Sequence, residues 1–348
     1  MDNPTYIKDI QKTYELFEKG LISNSTILVT GATGMICSCV IDILMSWNKE
    51  KGANNTIYAT GRSIERLQNR FKCYSDSDKL KFLELDTAKP FEITVDVDYI
   101  IHGASNADPA SMMKNPVETL KSNIIGMDSL LNCAVKKNVK RTLYISSGEM
   151  YGKALEELEN GFPEEYSGYI NYSEPRTCYP SGKRAAETLC QCYIKQYNTD
   201  VVIVRPCHIY GPTMLWSDSR AISAFIKNGI NGEKIVMKSA GTLVRSHCYV
   251  VDAAAAILYV LLYGEKGEAY NVADKMSICS IAELAHIIAE ESGTEVEMVI
   301  PTEAELAGFA KRDKAVLDTL KLENIGWKPM TNLKNGICKT IEVLRECK

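Results

Sequence analysis

The chain has 348 residues, room for one large domain or two small ones, and its 45% hydrophobic and 24% charged residues are ordinary for a globular protein. A net charge of −4 gives no electrostatic footprint for nucleic acid or for an anionic membrane surface. No apolar run approaches the ~20 residues of a membrane span, the N-terminus MDNPTYIKDIQKTYELFEKG has no secretory apolar core, and the 12 cysteines and 4 histidines show no zinc-ligand spacing. The cysteines therefore read as mostly buried, reduced hydrophobes of a cytoplasmic protein.

Tyr6, Ile7, Ile10, Tyr14 and Phe17 recur at helical spacing. An amphipathic helix over 4–19 is expected, inside an N-terminal extension of residues 1–24. Thr26–Thr30 is a short β-branched strand, Gly31 to Gly34 a tight turn, and Met35–Trp47 an apolar helix. A strand that feeds a glycine turn into a helix offers backbone N–H groups and a helix dipole to the pyrophosphate of a dinucleotide. The strict three-glycine fingerprint breaks at its third position, Cys37, a residue small enough to be tolerated between helix and strand. The second strand, Thr56–Thr60, ends in Gly61, Arg62 and Ser63. NAD sites place an acid here on the ribose hydroxyls, whereas Arg suits a 2′-phosphate, so Arg62 tilts the local chemistry toward NADP. Arg62 reads equally as an adenine-stacking group or a solvated surface charge.

KFLELD forms a third strand ending at Asp86, placed to meet an adenine amino group. VDVDYIIH forms a fourth, ending in HGAS, where His102 reads as a buried structural hydrogen bonder. A helix over MKNPVETLKSNIIGMDSLLNCAVKKN leads to the strand RTLYISS. Ser146 and Ser147 emerge there at the carboxyl edge of a parallel sheet, where open α/β folds put their sites, and Glu149 follows. Tyr179 and Lys183 are four apart at the start of an Ala-rich helix and share one face. An ammonium beside a phenol is expected to lower the phenol's pKa from about 10, giving a base for a hydroxyl proton. DVVIVRP is a sixth strand and ends in the turn RPCHIYGP.

From 213 onward the pattern is mixed, with a helix near 219–228 and no linker, repeat or low-complexity tract. The fold class is α/β: a Rossmann-type doubly wound parallel sheet over 25–212 and a smaller, interwoven C-terminal α/β substrate lobe over 213–348. The helices at about 112–137 and 181–198 carry apolar residues on more than one face, including Met127, Leu130, Leu131, Leu189, Cys190 and Tyr193. One face must cover the sheet, and the other suits a two-fold helix bundle, hence a homodimer.

In this order TGATGMI, Asp86, HGAS, SSGEMYG, YPSGK, RPCHIYGP and RSHCYVVD resemble the extended short-chain dehydrogenases/reductases, the NAD-dependent nucleotide-sugar epimerase/dehydratase family, over about residues 25–330. HGASNADPASMMKNPVETLKSNIIG, EPRTCYPSGKRAAETLC and SDSRAISAFI look most like its UDP-glucuronate decarboxylases. Pro180-Ser181 replaces the acid pair of that pattern, and His208 its Asn. The resemblance implies bound NAD, or NADP given Arg62, and a nucleotide-diphosphate sugar oxidised at C4, with no metal. Tyr179 then resembles the base, Lys183 the residue that holds it ionised, and Ser147 the partner that shares the substrate proton, with Glu149 managing groups or protons nearby. The cofactor would meet Gly31, Thr33, Gly34, Met35, Ile36, Arg62, Asp86, Thr87, Ala104, Ser105, Asn123, Tyr179, Lys183, Pro206 and His208. The substrate would meet Ser105, Glu149, His208, Arg220, Arg245 and Arg312, the guanidiniums pairing with phosphate. Gly148 stands where a 4,6-dehydratase supplies its acid, so a decarboxylase is the first expectation. A 4-epimerase or 4-keto-reductase is the alternative. A non-catalytic NAD(P)-binding relative is a further one, against which the intact Ser147, Tyr179 and Lys183 argue.

Overall fold

The computed structural model describes residues 3–302 and 314–347. Helix α1 (Pro4–Lys12) starts on Asn3, whose side chain accepts the Tyr6 N–H, and carries Pro at its first position, where no N–H is needed. The helix expected over 4–19 is shorter: the Thr13 hydroxyl takes the Ile10 carbonyl, and the chain tightens into a 3₁₀ turn, Thr13–Leu16. Two buried acids anchor α1. Asp42 accepts the Tyr6 hydroxyl at 2.9 Å and the Arg70 guanidinium at 2.6 Å, and Asp9 accepts the Tyr249 hydroxyl at 3.0 Å and bonds Lys339.

Then follow β1 (Thr26–Thr30), α2 (Met35–Lys51), β2 (Thr56–Gly61), α3 (Ile64–Arg70), β3 (Leu80–Glu84), β4 (Tyr99–His102), α4 (Pro109–Lys114), α5 (Pro116–Lys137), β5 (Arg141–Ile145), α6 (Cys178–Tyr197) and β6 (Val201–Pro206). The second half supplies β7 (His208–Tyr210), α7 (Ala221–Asn231), β8 (Ile235–Met237), β9 (Val244–Tyr249), α8 (Val250–Tyr263), β10 (Ala269–Val272), β11 (Asp274–Ser280), α9 (Ile281–Ser292), β12 (Val296–Met298) and β13 (Lys314–Ala315). The main sheet runs β10-β6-β5-β4-β1-β2-β3, parallel throughout. Strand order reverses between β1 and β4, which opens a crevice at their carboxyl ends. β10 comes from the second half of the chain and joins this sheet beside β6, while α8 packs on α2. A second sheet pairs β9 with β11, β13 and β7.

The third strand stops at Glu84, so Asp86 lies in the turn beyond it, where its carboxylate accepts the Ala88 N–H at 3.1 Å. Met127, Leu131, Cys190 and Tyr193 pack with Tyr144, Val201 and Ile203, and Leu130 with Leu28 and Ile100, so these residues cover the sheet. Leu189 lies at that cluster's margin. The outward apolar stripe of α5 is a different set, Val117, Leu120 and Ile124, between 36% and 56% exposed. Among the described residues no helix is long and apolar enough to cross a membrane.

Candidate active site

Gly31 has φ +67°, and a Cβ on it would lie 2.8 Å from the Ala104 backbone, so the turn out of β1 demands glycine. Gly34 caps α2 with no side-chain acceptor. The first-turn N–H groups around Met35 and Ile36 therefore face the crevice with the positive end of a 17-residue helix behind them. Cys37 is buried, and a Cβ on Gly103 would lie 2.3 Å from its sulfur. The room the fingerprint normally makes with its third glycine is made here by Gly103 on the opposite side of the contact. Arg62 is exposed just past β2, Thr33 is half-buried in the turn, and Thr87 is buried where Gly126 of α5 approaches it. This cradle fits a dinucleotide pyrophosphate, which Gly31, Thr33, Gly34, Met35 and Ile36 could hold.

Ser147 starts a 3₁₀ turn, Gly148–Tyr151, and its Oγ accepts the Glu149 N–H at 3.1 Å. Tyr179 and Lys183 lie one turn apart at the start of α6, both buried, and the Ser147 hydroxyl lies near enough to the Tyr179 phenol to lower its pKa. Lys183 Nζ donates to the Ile145 carbonyl at 2.8 Å and sits 4.8 Å from the Tyr144 ring centroid and 5.6 Å from that of Tyr179. The expected lowering of the phenol's pKa by this ammonium is not what the geometry gives. Burial pushes the Tyr179 phenol up to about 12, the Ser147 hydroxyl pulls it down, Glu149 raises it, and Arg220 and Arg176 lower it. Burial also brings Lys183 down to about 7. Sharing a helix face puts the pair together, but desolvation decides which forms they hold.

Asn123 on α5 fixes Ser105, accepting its hydroxyl at 3.0 Å while donating to the Thr119 carbonyl at 2.8 Å. A Cβ on Gly182 would stand 3.2 Å from Asn123, so the glycine of YPSGK lets α6 settle on α5. His102 bonds Thr30 Oγ1 through Nδ1 at 2.6 Å and is pushed down to about 3 by burial and by Lys183, so it is a neutral structural group.

Arg176 Nη2 lies 3.3 and 3.4 Å from the two Glu149 carboxylate oxygens. Arg176 was not singled out in the sequence, although it stands in PRTCY, three residues before Tyr179. Arg184, also unforeseen, donates to the carbonyls of Met150, Tyr151 and Gly168 at 2.6, 3.0 and 2.7 Å and fixes the turn that carries Glu149. Behind it Arg205 grips Glu187 at 3.0 and 2.6 Å and the Tyr151 hydroxyl at 2.8 Å. Pro206 ends β6, and His208 opens β7 opposite His247 of β9.

His208, Arg220, Arg245 and His247 line one cleft. Arg220 is already gripped by Asp218, at 3.0 Å through Nε and 2.5 Å through Nη2. His247, not foreseen, is buried and brought down to about 4, first by burial and then by Arg245. Arg312 lies outside the described residues. Among the described residues no three His, Cys, Asp or Glu side chains are grouped as metal ligands.

The chain is 32% identical over 317 residues to UDP-glucuronic acid decarboxylase 6 of Arabidopsis thaliana, covering 90% of this chain and 87% of that one. It is 31% identical over 321 residues to UDP-glucuronic acid decarboxylase 1 of Xenopus tropicalis, covering 92% and 72%. Its fold matches a UDP-glucose 4-epimerase from Thermotoga maritima with UDP-glucose, at TM-score 0.75 and 23% identity over 92% of this chain and 99% of that one. It also matches a dTDP-glucose 4,6-dehydratase from Streptomyces venezuelae with NAD and TYD bound, at TM-score 0.78 and 22% identity over 92% and 97%. Residues 27–273 match the model of the NAD dependent epimerase/dehydratase family, and the chain belongs to that family.

Proposed function

We propose that this protein is an NAD-dependent nucleotide-sugar enzyme that oxidises its substrate at C4 and decarboxylates a nucleotide-linked uronic acid, UDP-glucuronate being the first substrate to test. The observation that carries the reading is the pair Gly148–Glu149. A 4,6-dehydratase needs an acid beside the remaining Glu, and here that position has no side chain. A Cβ on Gly148 would already lie 3.2 Å from the Leu317 methyls. Glu149 remains, close enough to Tyr179 to raise its pKa. The decarboxylase relatives support the same choice.

When bound, NAD supplies the two-electron oxidant for C4. Tyr179, once ionised, takes the proton of the C4 hydroxyl with Ser147, and a charged Lys183, 5.6 Å from the Tyr179 ring centroid, favours that ionisation against the burial that raises the phenol. The 4-keto uronic acid is a β-keto acid and loses carbon dioxide without a general acid. That loss leaves an enolate, and Glu149, protonated from solvent, delivers the new proton to C5. Arg245 and His208 line the nucleotide-side cleft, and Arg220 reaches it already paired to Asp218. NAD is the first cofactor to test, since it is bound in the Streptomyces venezuelae neighbour, while Arg62, exposed beyond β2, would admit a 2′-phosphate. The outward stripe of α5 supports a homodimer, and the exposed thiols of Cys192, Cys338 and Cys347 support a reducing, cytoplasmic compartment.

A second reading, a 4-epimerase or 4-keto-reductase, is favoured by Pro180, Ser181 and His208, which depart from the decarboxylase pattern. Single-turnover reaction with UDP-glucuronate separates the two, following carbon dioxide and nicotinamide absorbance together. Glu149→Gln keeps size and hydrogen-bonding atoms but cannot move the C5 proton, so product formation should slow by roughly 10²-fold or more in a decarboxylase. In an epimerase the change should be mild. A wild type that releases no carbon dioxide from nucleotide-linked uronic acids but interconverts C4 epimers refutes the first reading.

A further inference from the structure

We infer that Arg176 is the residue that admits a sugar bearing a C6 carboxylate, holding that carboxylate beside Glu149. The inference rests on the decarboxylase reading above and deepens it. Arg176 lies in the 3₁₀ turn Pro175–Thr177, which runs directly into α6 and Tyr179. The Thr177 hydroxyl lies 3.0 Å from the Asn171 carbonyl and 2.7 Å from that of Glu174, so the guanidinium is carried on a pinned turn. Its only hydrogen bonds among the described residues are the two Nη2 contacts to Glu149. A guanidinium has five N–H donors in a planar fork. The Nε and Nη1 donors are therefore available to a second carboxylate while the first stays in place.

Position follows from the chemistry. A sugar whose C4 hydroxyl meets Tyr179 and Ser147 has C6 two bonds away, so its carboxylate falls among the charged groups that act on Tyr179. Those groups are Glu149, Arg220 and Arg176. Glu149 repels a second carboxylate. Arg220 is spent on Asp218, which also accepts the Ser223 hydroxyl at 2.9 Å. Arg176 is held only by the longer contacts to Glu149, with its side chain 23% exposed. Lys183, the other cation beside Tyr179, is turned to the Ile145 carbonyl at 2.8 Å. Arg176 is then the cation left to neutralise the newcomer, and without it Glu149 would select for a neutral sugar.

The test is binding of UDP-glucuronate, UDP-glucose and UDP to the full-length, NAD-loaded protein by titration calorimetry, for wild type, Arg176→Met and Arg176→Lys. Arg176→Met should weaken UDP-glucuronate by roughly ten- to hundredfold, the loss of a charged hydrogen-bonded pair, and UDP-glucose and UDP by less than about threefold. Arg176→Lys should recover part of the glucuronate affinity alone. The unchanged UDP affinity shows that each variant is folded. Equal weakening of all three ligands, or an undiminished preference for glucuronate in Arg176→Met, overturns the assignment. Carbon dioxide release by the wild type is scored separately. A wild type that releases none, yet loses its carboxylate preference in Arg176→Met, refutes the reaction and supports the role of Arg176.

Discussion

Lys183 should destabilise the fold that buries it. The residue is 2% exposed, and its ammonium donates to the Ile145 carbonyl at 2.8 Å. Burial brings its pKa from 10.5 to about 7, with Glu187 and Cys37 pulling the other way. An unfolded chain keeps that proton until about pH 10.4. Between the two values the unfolded state binds more protons than the folded one, so stability rises with pH across that window. At about 1.4 kcal/mol per unit, the lysine costs the fold about 4–5 kcal/mol below pH ~7, and the cost fades by about pH 10.

Lys183→Met keeps the apolar stem and cannot charge. It gives up the bond to Ile145, worth about 1–2 kcal/mol with the carbonyl left unpaired. The variant should therefore be inactive, yet more stable than wild type by about 3 kcal/mol near pH 7, with the gap closing by about pH 9.5. Urea midpoints of the cofactor-free protein at about pH 6.5, 8 and 9.5 measure this directly. A gap that ignores pH, or a wild type more stable than the variant at the lowest pH, would show that Lys183 is not held against its own charge.

Gly103→Ala places a methyl 2.3 Å from Cys37 Sγ and should destabilise by about 1–3 kcal/mol. Adding Cys37→Gly should recover most of that loss in thermal melts, and independent, additive effects would refute the exchange of roles between the two positions. The α5 stripe predicts a homodimer by light scattering at micromolar concentration, with Val117→Asp plus Ile124→Asp giving a monomer that still melts cooperatively; a monomeric wild type sinks that idea.

Local pattern carried the elements and the grouping of Tyr179 and Lys183 in the candidate site. β1 runs over Thr26–Thr30 because a β-branched run between polar turns has few other options, and the glycine turn and α2 follow where the spacing puts them. What depends on three-dimensional neighbours was hidden. Glu149 and Arg176 are 27 residues apart, and nothing in either segment announces the other. His247 reads as one residue of a strand until the register of β7 on β9 sets it opposite His208. On α5 and α6, apolar residues on both faces could not say which face meets the sheet. Met127, Leu130, Leu131, Cys190 and Tyr193 all fall on the sheet side, and the outward face is carried by Val117, Leu120 and Ile124.

Cys37 shows how a broken motif can still leave the close helix–strand contact intact. The fingerprint's third glycine answers a demand for distance: the helix after the turn must come close to the neighbouring strand end. That demand concerns a contact with two sides, and a sequence pattern scores only one of them. Here the side chain sits on the helix and the vacancy on the strand end, where Gly103 has no Cβ to meet the sulfur. The thiol then lies near enough to Lys183 for each to register in the other's charge state. Burial pushes the thiol up to about 12, so it stays neutral beside the lysine and acts as a small apolar wedge. HGAS and TGATGMIC are therefore one motif written in two places, and reading either alone understates how well the cradle is made.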